Sequence, residues 1–373
     1  MMKEELSICR NGAGGFLKKE MESRGWSQND LAEITGLSIK TVNQIINNKQ
    51  IMTPLNAIIL GSAFDTAPEF WLNLDAKYQI KARVDKEVDK AELAEIKAKL
   101  QAIMPFAEIK KKGWFSTEMK SLAEIKEGIF DIFGTNIIPE RIEGDDIKAC
   151  ARRTRTDNDY TERNCNAWFT FAKYFSHDIQ ISSFNAEGLK KIANEISKYT
   201  LLADGPERFI KDLNSVGVGF FILKHLEKTY LDGAAFINGD NPFIVYTGRY
   251  NRIDNFWFVM AHECGHIVND FEYMEHGSFL DDLDLKASEK DEREIRADLF
   301  ANNVLKHDSV VELGQIFGRY LSEERLKQLS SNSGVSIPVA LGILQHEEIV
   351  DWRKFSRFRE PVLDLIPDCY MKG

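Results

Sequence analysis

Residues 261–270, AHECGHIVND, place His262 and His266 four positions apart with Glu263 between them. On a helix the two histidines lie one turn apart on the same side. Both imidazoles can then reach one ion at ~2.0–2.1 Å. Glu263 is rotated from them by ~100°, near enough to hold a metal-bound water without crowding the ligands. An ion held this way lowers the pKa of its water toward ~7 and polarises a carbonyl. The carboxylate takes the proton and later passes it to the leaving amine. The neighbours Ala261, Cys264, Gly265, Ile267 and Val268 are uncharged, as a buried helix requires, and Cys264 is assigned to packing. The competing reading is a buried histidine pair that holds no metal.

Two histidines need a third ligand. The metzincin continuation xxGxxH is absent, since position 269 is Asn and position 272 is Glu. A glutamate from a second helix is the alternative, and EREIRADLFANNVL at 292–305 offers one. Glu294 and Asp298 fall on one face, while Ala297, Phe300, Ala301 and Val304 form a packing face. The small Ala297 and Ala301 allow a close approach to the first helix. Glu294 would complete the metal shell, and Asp298 would accept the free N–H of a ligand histidine and fix its tautomer. Glu292, Glu272 and His276 are rivals, and a solvated acidic stripe is the plainer account of Glu294 and Asp298. Residues 270–298 hold 11 Asp+Glu against 4 Lys+Arg, which favours a cation or a basic partner segment, or is simply an acidic loop.

A second stretch, SQNDLAEITGLSIKTVNQIINNKQ at 27–50, has the makings of a DNA reader. Ser27 suits an N-cap, with Asp30 in the first turn where a carboxylate meets the helix dipole. Leu31, Ala32 and Ile34 give an apolar face, Gly36 breaks the helix, and Ser38 caps a second one. There Ile39, Val42, Ile45 and Ile46 recur at spacings of three and four. The opposite face shows Lys40, Thr41, Asn43, Gln44, Asn47, Asn48 and Lys49, with no acid. Amides, a hydroxyl and lysines are the groups that pair with base edges and phosphates in a major groove. Helix, glycine turn, helix is the helix-turn-helix pattern; an ordinary helical hairpin with a solvated face is the alternative.

The elements around these stretches must come from 373 residues, too many for one core, so two or three domains are expected. Five scattered cysteines without CxxC spacing argue for a reducing compartment and against a disulfide frame. The first residues lack a signal peptide's basic and apolar runs, and no stretch approaches ~18–20 apolar residues, so a cytoplasmic protein without a membrane span is expected. A net charge of −10 disfavours general coating of nucleic acid. Residues 1–80 carry 8 Lys+Arg and 9 Asp+Glu, near neutral for a DNA-binding module, so local placement must supply the affinity. Helices are expected at 88–105, with Leu93, Ile96, Leu100 and Ile103 inward, and at 121–134. The aromatic run at 165–175 suggests a core helix, and 205–223 a helix, turn and buried strand. Asn241–Pro242 opens a strand leading into the metal helix, whose edge would take an extended substrate. Arg249, Tyr250 and Arg252 near its end would hold a substrate carbonyl or make structural ion pairs. Lys110–Lys112 form a solvated turn or a phosphate contact.

Residues 26–78, WSQNDLAEITGLSIKTVNQIINNKQIMTPLNAIILGSAFDTAPEFWLNLDAKY, resemble the Xre-type helix-turn-helix of HigA-family antitoxins. The resemblance implies a five-helix domain that dimerises on a palindromic operator, with Gln28 on phosphate and Ser38, Lys40, Thr41, Asn43 and Gln44 toward the groove. NNKQIMT departs from the commoner glycine-containing loop. HECGH followed by EIRADLFA at 294–301 is similar to the ImmA/IrrE family of zinc metallopeptidases, as is the lead-in at 232–263, with the likeness spanning about 205–346. It implies Zn²⁺ on His262, His266 and Glu294, with Glu263 as base. The expected fold is α+β and mainly helical: a helix-turn-helix domain over 1–80, a helical connector over 81–195, and a zincin-like domain with a small sheet over 196–373. The expected function is a repressor or antitoxin-like protein carrying an endopeptidase that cleaves a repressor or toxin-operon component. The alternative is a non-proteolytic antitoxin whose zincin domain only binds a cognate toxin. Operator DNA, that protein partner and a second copy of the chain are the expected partners.

Overall fold

A computed structural model of the chain describes residues 2–142, 159–229, 231–275 and 287–373. It divides into two compact units, Met1–Glu95 and Ile96–Gly373.

The first unit is helical. It contains α1 (Met2–Arg24), α2 (Gln28–Thr35), α3 (Ile39–Ile46), α4 (Pro54–Phe64) and the start of α5 (Pro68–Ile103). Ser27 and Asp30 form a full capping box: the Ser27 hydroxyl accepts from Asp30 N–H, and the Asp30 carboxylate accepts from Ser27 N–H at 2.8 Å. Gly36, at φ 68°, ends α2, and Ser38 caps α3 by accepting from Thr41 N–H at 3.1 Å. Leu31, Val42 and Ile45 are buried with Leu17, Leu60, Phe64 and Trp71. Ile34 and Ile39, expected on the apolar faces, are instead 50% and 53% exposed. Both sit at the ends of eight-residue helices, where the strip turned to the core narrows.

One close approach sets this unit's geometry. A Cβ on Gly14 of α1 would lie 2.3 Å from Ile45 O and 2.4 Å from Ile46 O, so only glycine lets α1 lie on the end of α3. Gly14 N–H donates to Asn48 Oδ1 at 3.0 Å. Asn48 itself takes φ 52°, the left-handed conformation that asparagine tolerates better than most residues. The loop that departs from the glycine pattern thus uses Asn48 for the turn and ties it to α1.

Between residues 69 and 104 there is neither Gly nor Pro, and α5 runs unbroken through them. Residue 80, the expected boundary, therefore falls inside α5, and the helix expected at 88–105 is its second half. Leu100 and Ile103 are buried, while Leu93 and Ile96 are half-buried.

The second unit holds α6 (Phe106–Lys112), α7 (Leu122–Phe133), α8 (Asp159–Ser176), α9 (Ala186–Asn194), α10 (Ile196–Thr200) and α11 (Gly205–Ser215). There follow β1 (Gly219–Leu223), β2 (Gly233–Asn238), β3 (Asn241–Tyr246), α12 (Ile253–Glu275) and α13 (Ala287–Val304). Then come α14 (His307–Phe317), α15 (Glu323–Ser333), α16 (Ile337–His346) and β4 (Met371–Lys372). Residue 195 separates α9 from α10, yet Leu189 and Ala193 share one core with Ile196, Phe209 and Trp257. The sheet is mixed, in the order β2-β3-β1-β4. β1 pairs in parallel with β3 and β4, and β2 pairs antiparallel with β3 across a turn at Gly239–Asp240. β3 is thus interior, with a neighbour on each side. The expectation that its edge would take a substrate is corrected: β2 is the edge strand beside it. Every residue of β1 is buried, as its unbroken apolar run implies. The fold is mainly helical with one small sheet, and no described helix is long and apolar enough to cross a membrane.

Candidate metal centre and DNA-reading face

α12 turns Phe256, Trp257, Met260, Ala261, Cys264 and Ile267 into the core. His262 and His266 lie on another side, each 5% exposed. Their Nε2 atoms are 3.0 Å apart. Glu294, from α13, places one oxygen 3.3 Å from His262 Nε2 and the other 3.4 Å from His266 Nε2. A tetrahedron with metal bonds of ~2.0–2.1 Å has edges of about 3.3–3.4 Å. The Glu294 separations, one to each carboxylate oxygen, are of that size and the Nε2–Nε2 separation is shorter, so two imidazoles and a carboxylate gather where they could share one small cation. His262 Nδ1 lies 2.7 Å from Asp298 Oδ1. With the proton on Nδ1 and donated to Asp298, the Nε2 lone pair faces the other donors.

The approach of α13 to α12 depends on small residues. A Cβ on Gly265 would meet Ala297 Cα at 3.1 Å and Phe300 Cβ at 3.2 Å, tighter than ordinary contact. Ala297 and Ala301 are fully buried in this contact region. One turn beyond His266, Asp270 is buried, interrupts the helical geometry of α12 at φ −127°, and accepts from Arg296 Nη2 at 2.7 Å. This ion pair joins the two helices within two residues of Glu294. Neither Asp270 nor Arg296 stands out in the sequence by the spacing that marks the histidines. The available signal was an arginine flanked by the two acids already chosen.

Glu263 is 1% exposed. A Cβ on Gly233 of β2 would lie 2.5 Å from Val259 Cγ1 and 3.4 Å from Glu263 Oε1, so β2 passes close over this part of α12. The Glu263 carboxylate thus lies between the sheet and the histidine-bearing helix. Burial, then the Glu263 charge, pushes the Cys264 thiol far above its usual pKa, consistent with an inert core residue. The Phe258 ring, 40% exposed, lies 6.1 Å from the His262 ring.

The rival ligands separate from this cluster. Glu292 is directed to Arg296 at 4.0 Å. His276 and the side chain of Glu272 lie outside the described residues. Arg249 pairs with Asp232 at 3.6 Å, and Arg252 Nε donates to Asp254 at 3.0 Å, which makes both structural ion pairs. Among the described residues His262, His266 and Glu294 are the group whose ligand atoms lie close enough to share an ion.

In the first unit, Gln28 Oε1 accepts from Asn43 Nδ2 at 3.2 Å, so the start of α2 and the middle of α3 are joined by an amide pair. Ser38 and Thr41 are bonded through their hydroxyls at 2.8 Å. Lys40 and Asn43 are exposed, and Gln44 is half-buried on the same helix. Asn47 turns back, donating to Asn43 O at 2.8 Å, and Asn48 is engaged by Gly14; these two amides serve the fold rather than the open face.

Residues 17–71 match the profile of a helix-turn-helix family, and this match supports DNA binding by the first unit. A Haemophilus influenzae protein named an uncharacterized HTH-type transcriptional regulator is 37% identical over 68 residues, which are 18% of this chain and 64% of that protein. The chain thus spans less than two thirds of the relative's length. No solved structure matches the chain. Residues 17–71 form a helix-turn-helix domain.

Proposed function

We propose that the chain is a DNA-binding transcriptional regulator whose second unit is a zinc-dependent endopeptidase acting on a protein partner, a repressor or a component of a toxin operon. The observation that carries the peptidase reading is the convergence of His262, His266 and Glu294 beside the buried Glu263 carboxylate. The likeness of HECGH and EIRADLFA to ImmA/IrrE metallopeptidases supports it. Zn²⁺ held there would supply Lewis-acid polarisation of the scissile carbonyl and acidify water. Glu263 takes a proton and returns it to the departing amine. Asp298 holds the His262 tautomer. The edge of β2 aligns an extended segment by strand addition.

An antitoxin that binds its partner without cutting it is the second reading. Ile295 and Leu299 favour it: they are 52% and 62% exposed on α13 beside Glu294 and Asp298, an apolar surface a protein can cover. The two readings part when the purified protein is incubated with the product of the adjacent gene. A discrete fragment that disappears on chelation supports cleavage; an intact partner bound in stable complex supports the antitoxin.

For the first unit we propose a homodimer on an inverted repeat. Leu55 and Ile58 are 64% and 53% exposed three positions apart on α4, and Ile51, in the segment before it, is 60% exposed, an apolar strip suited to a second copy. Gln44→Ala is expected to change preference at one base pair by roughly 1–3 kcal/mol, measured on operator variants. Equal loss on operator and random DNA would contradict a base-reading role.

A further inference from the structure

The three lysines at 110–112 are not absorbed by either activity. They form the last turn of α6, and two of them line a cavity of about 470 Å³ in the second unit. Its walls are Glu108, Lys111 and Lys112 of α6, Lys224, His225 and Glu227 after β1, and Thr247 and Gly248 after β3, with Ile222, Leu363 and Met371 as apolar floor. None of these belongs to the His262 cluster. β1 and β3 are neighbouring parallel strands, so the cavity opens at their carboxyl ends. In open sheets with parallel strands, ligands settle in the crevice outside those ends.

The polar groups sort by charge. Glu108 is engaged: it accepts from Glu227 N–H at 3.1 Å and faces Lys112 at 3.8 Å. Lys111 and Lys224 make no ion pair among the described residues. Burial, then Lys112, then Arg249, holds the His225 pKa below its usual value. The lining thus brings together Lys111, Lys112 and Lys224 against Glu108 and Glu227, a local excess of positive charge in a chain whose net charge is −10. The volume suits a small organic ligand.

We propose that this cavity binds a small phosphorylated molecule of nucleotide size. Its phosphate meets Lys111, Lys112, Lys224 and His225, and its organic part lies on Ile222, Leu363 and Met371. The anion would supply the negative charge that Lys111 and Lys224 lack. Thr247 and Gly248 also begin the short segment that joins β3 to α12, so an occupant touches the chain that leads into the histidine-bearing helix.

Adenosine monophosphate, inorganic phosphate and adenosine are the probes, titrated into the full-length protein by calorimetry at low and moderate salt. AMP is expected to bind at least tenfold more tightly than adenosine, with affinity falling as salt rises. Lys111→Gln combined with Lys224→Gln should weaken AMP by tenfold or more, with melting temperature and metal content unchanged. Bound AMP should also raise the His225 pKa in an NMR titration, because a nearby anion favours the imidazolium over Lys112 and Arg249. Three results would overturn the phosphate site. They are no AMP or phosphate binding at millimolar concentration, adenosine binding as tightly as AMP, or AMP binding that is unmoved in the double variant. Phosphate binding as tightly as AMP would remove the organic subsite and overturn the nucleotide-sized ligand.

Discussion

Glu263→Gln is expected to reduce partner cleavage by ~10²–10⁴-fold while leaving metal content and operator binding intact. The amide keeps the volume and shape of the carboxylate, so the packing of α12 against β2 near Gly233 is preserved. It cannot accept and hold the proton that the departing group needs. Glu263 is 1% exposed, and the isosteric neutral side chain avoids the cost of burying a charge; a melting temperature close to the wild type confirms that the variant is folded. The comparison is made twice: with purified proteins, by the rate of partner fragment formation, and in cells carrying the partner gene. Full protection by the variant, with no fragment from either form, would sink the peptidase reading and leave a metal-stabilised antitoxin.

The second large effect is on metal. About one zinc per chain is expected, and Glu294→Gln should remove most of it at micromolar free zinc. The substitution replaces an anionic ligand 3.3 Å and 3.4 Å from the two Nε2 atoms by a neutral amide. Asp298→Asn should act more gently, lowering zinc affinity by ~10–100-fold, because it touches the ion only through the His262 tautomer. Chelation should destabilise the second unit by ~2.7 kcal/mol relative to free zinc at a hundred times Kd. Zinc content and competition titrations check the order. If Glu294→Gln leaves zinc affinity unchanged, Glu294 is not the third ligand.

Much of this could be read from residue types and spacing. The capping signals at Ser27 and Ser38, the breaker Gly36, and the helices at 122–133 and 205–215 are local features that name themselves. The pairing of HECGH with Glu294 and Asp298 was legible because both lie at helical spacing and chemistry limits the choice. What was not legible depends on contacts distant in sequence. The interior place of β3 is set by pairing with β1 and β2, although the Asn-Gly at 238–239 was an available hairpin signal. The Asp270–Arg296 pair spans 26 residues. Asn48 looked like part of the polar face of α3, and only its bond to Gly14 reveals its structural task. The continuity of α5 was masked by treating its two amphipathic halves as separate helices.

The closeness of Gly265 to Ala297 ties the spacing of two helices to the geometry of the proposed metal site. A methyl group at 265 would need a shift of a few tenths of an ångström between α12 and α13. Ligand sites hold their function only within about 0.5 Å of the working geometry. A methyl group approaches that limit, and a larger side chain would carry Glu294 beyond it. Graded side-chain size at position 265 would therefore shift Glu294 stepwise from the histidines, and the proposed metal affinity with it, while the identity of every proposed ligand, and Glu263, is unchanged.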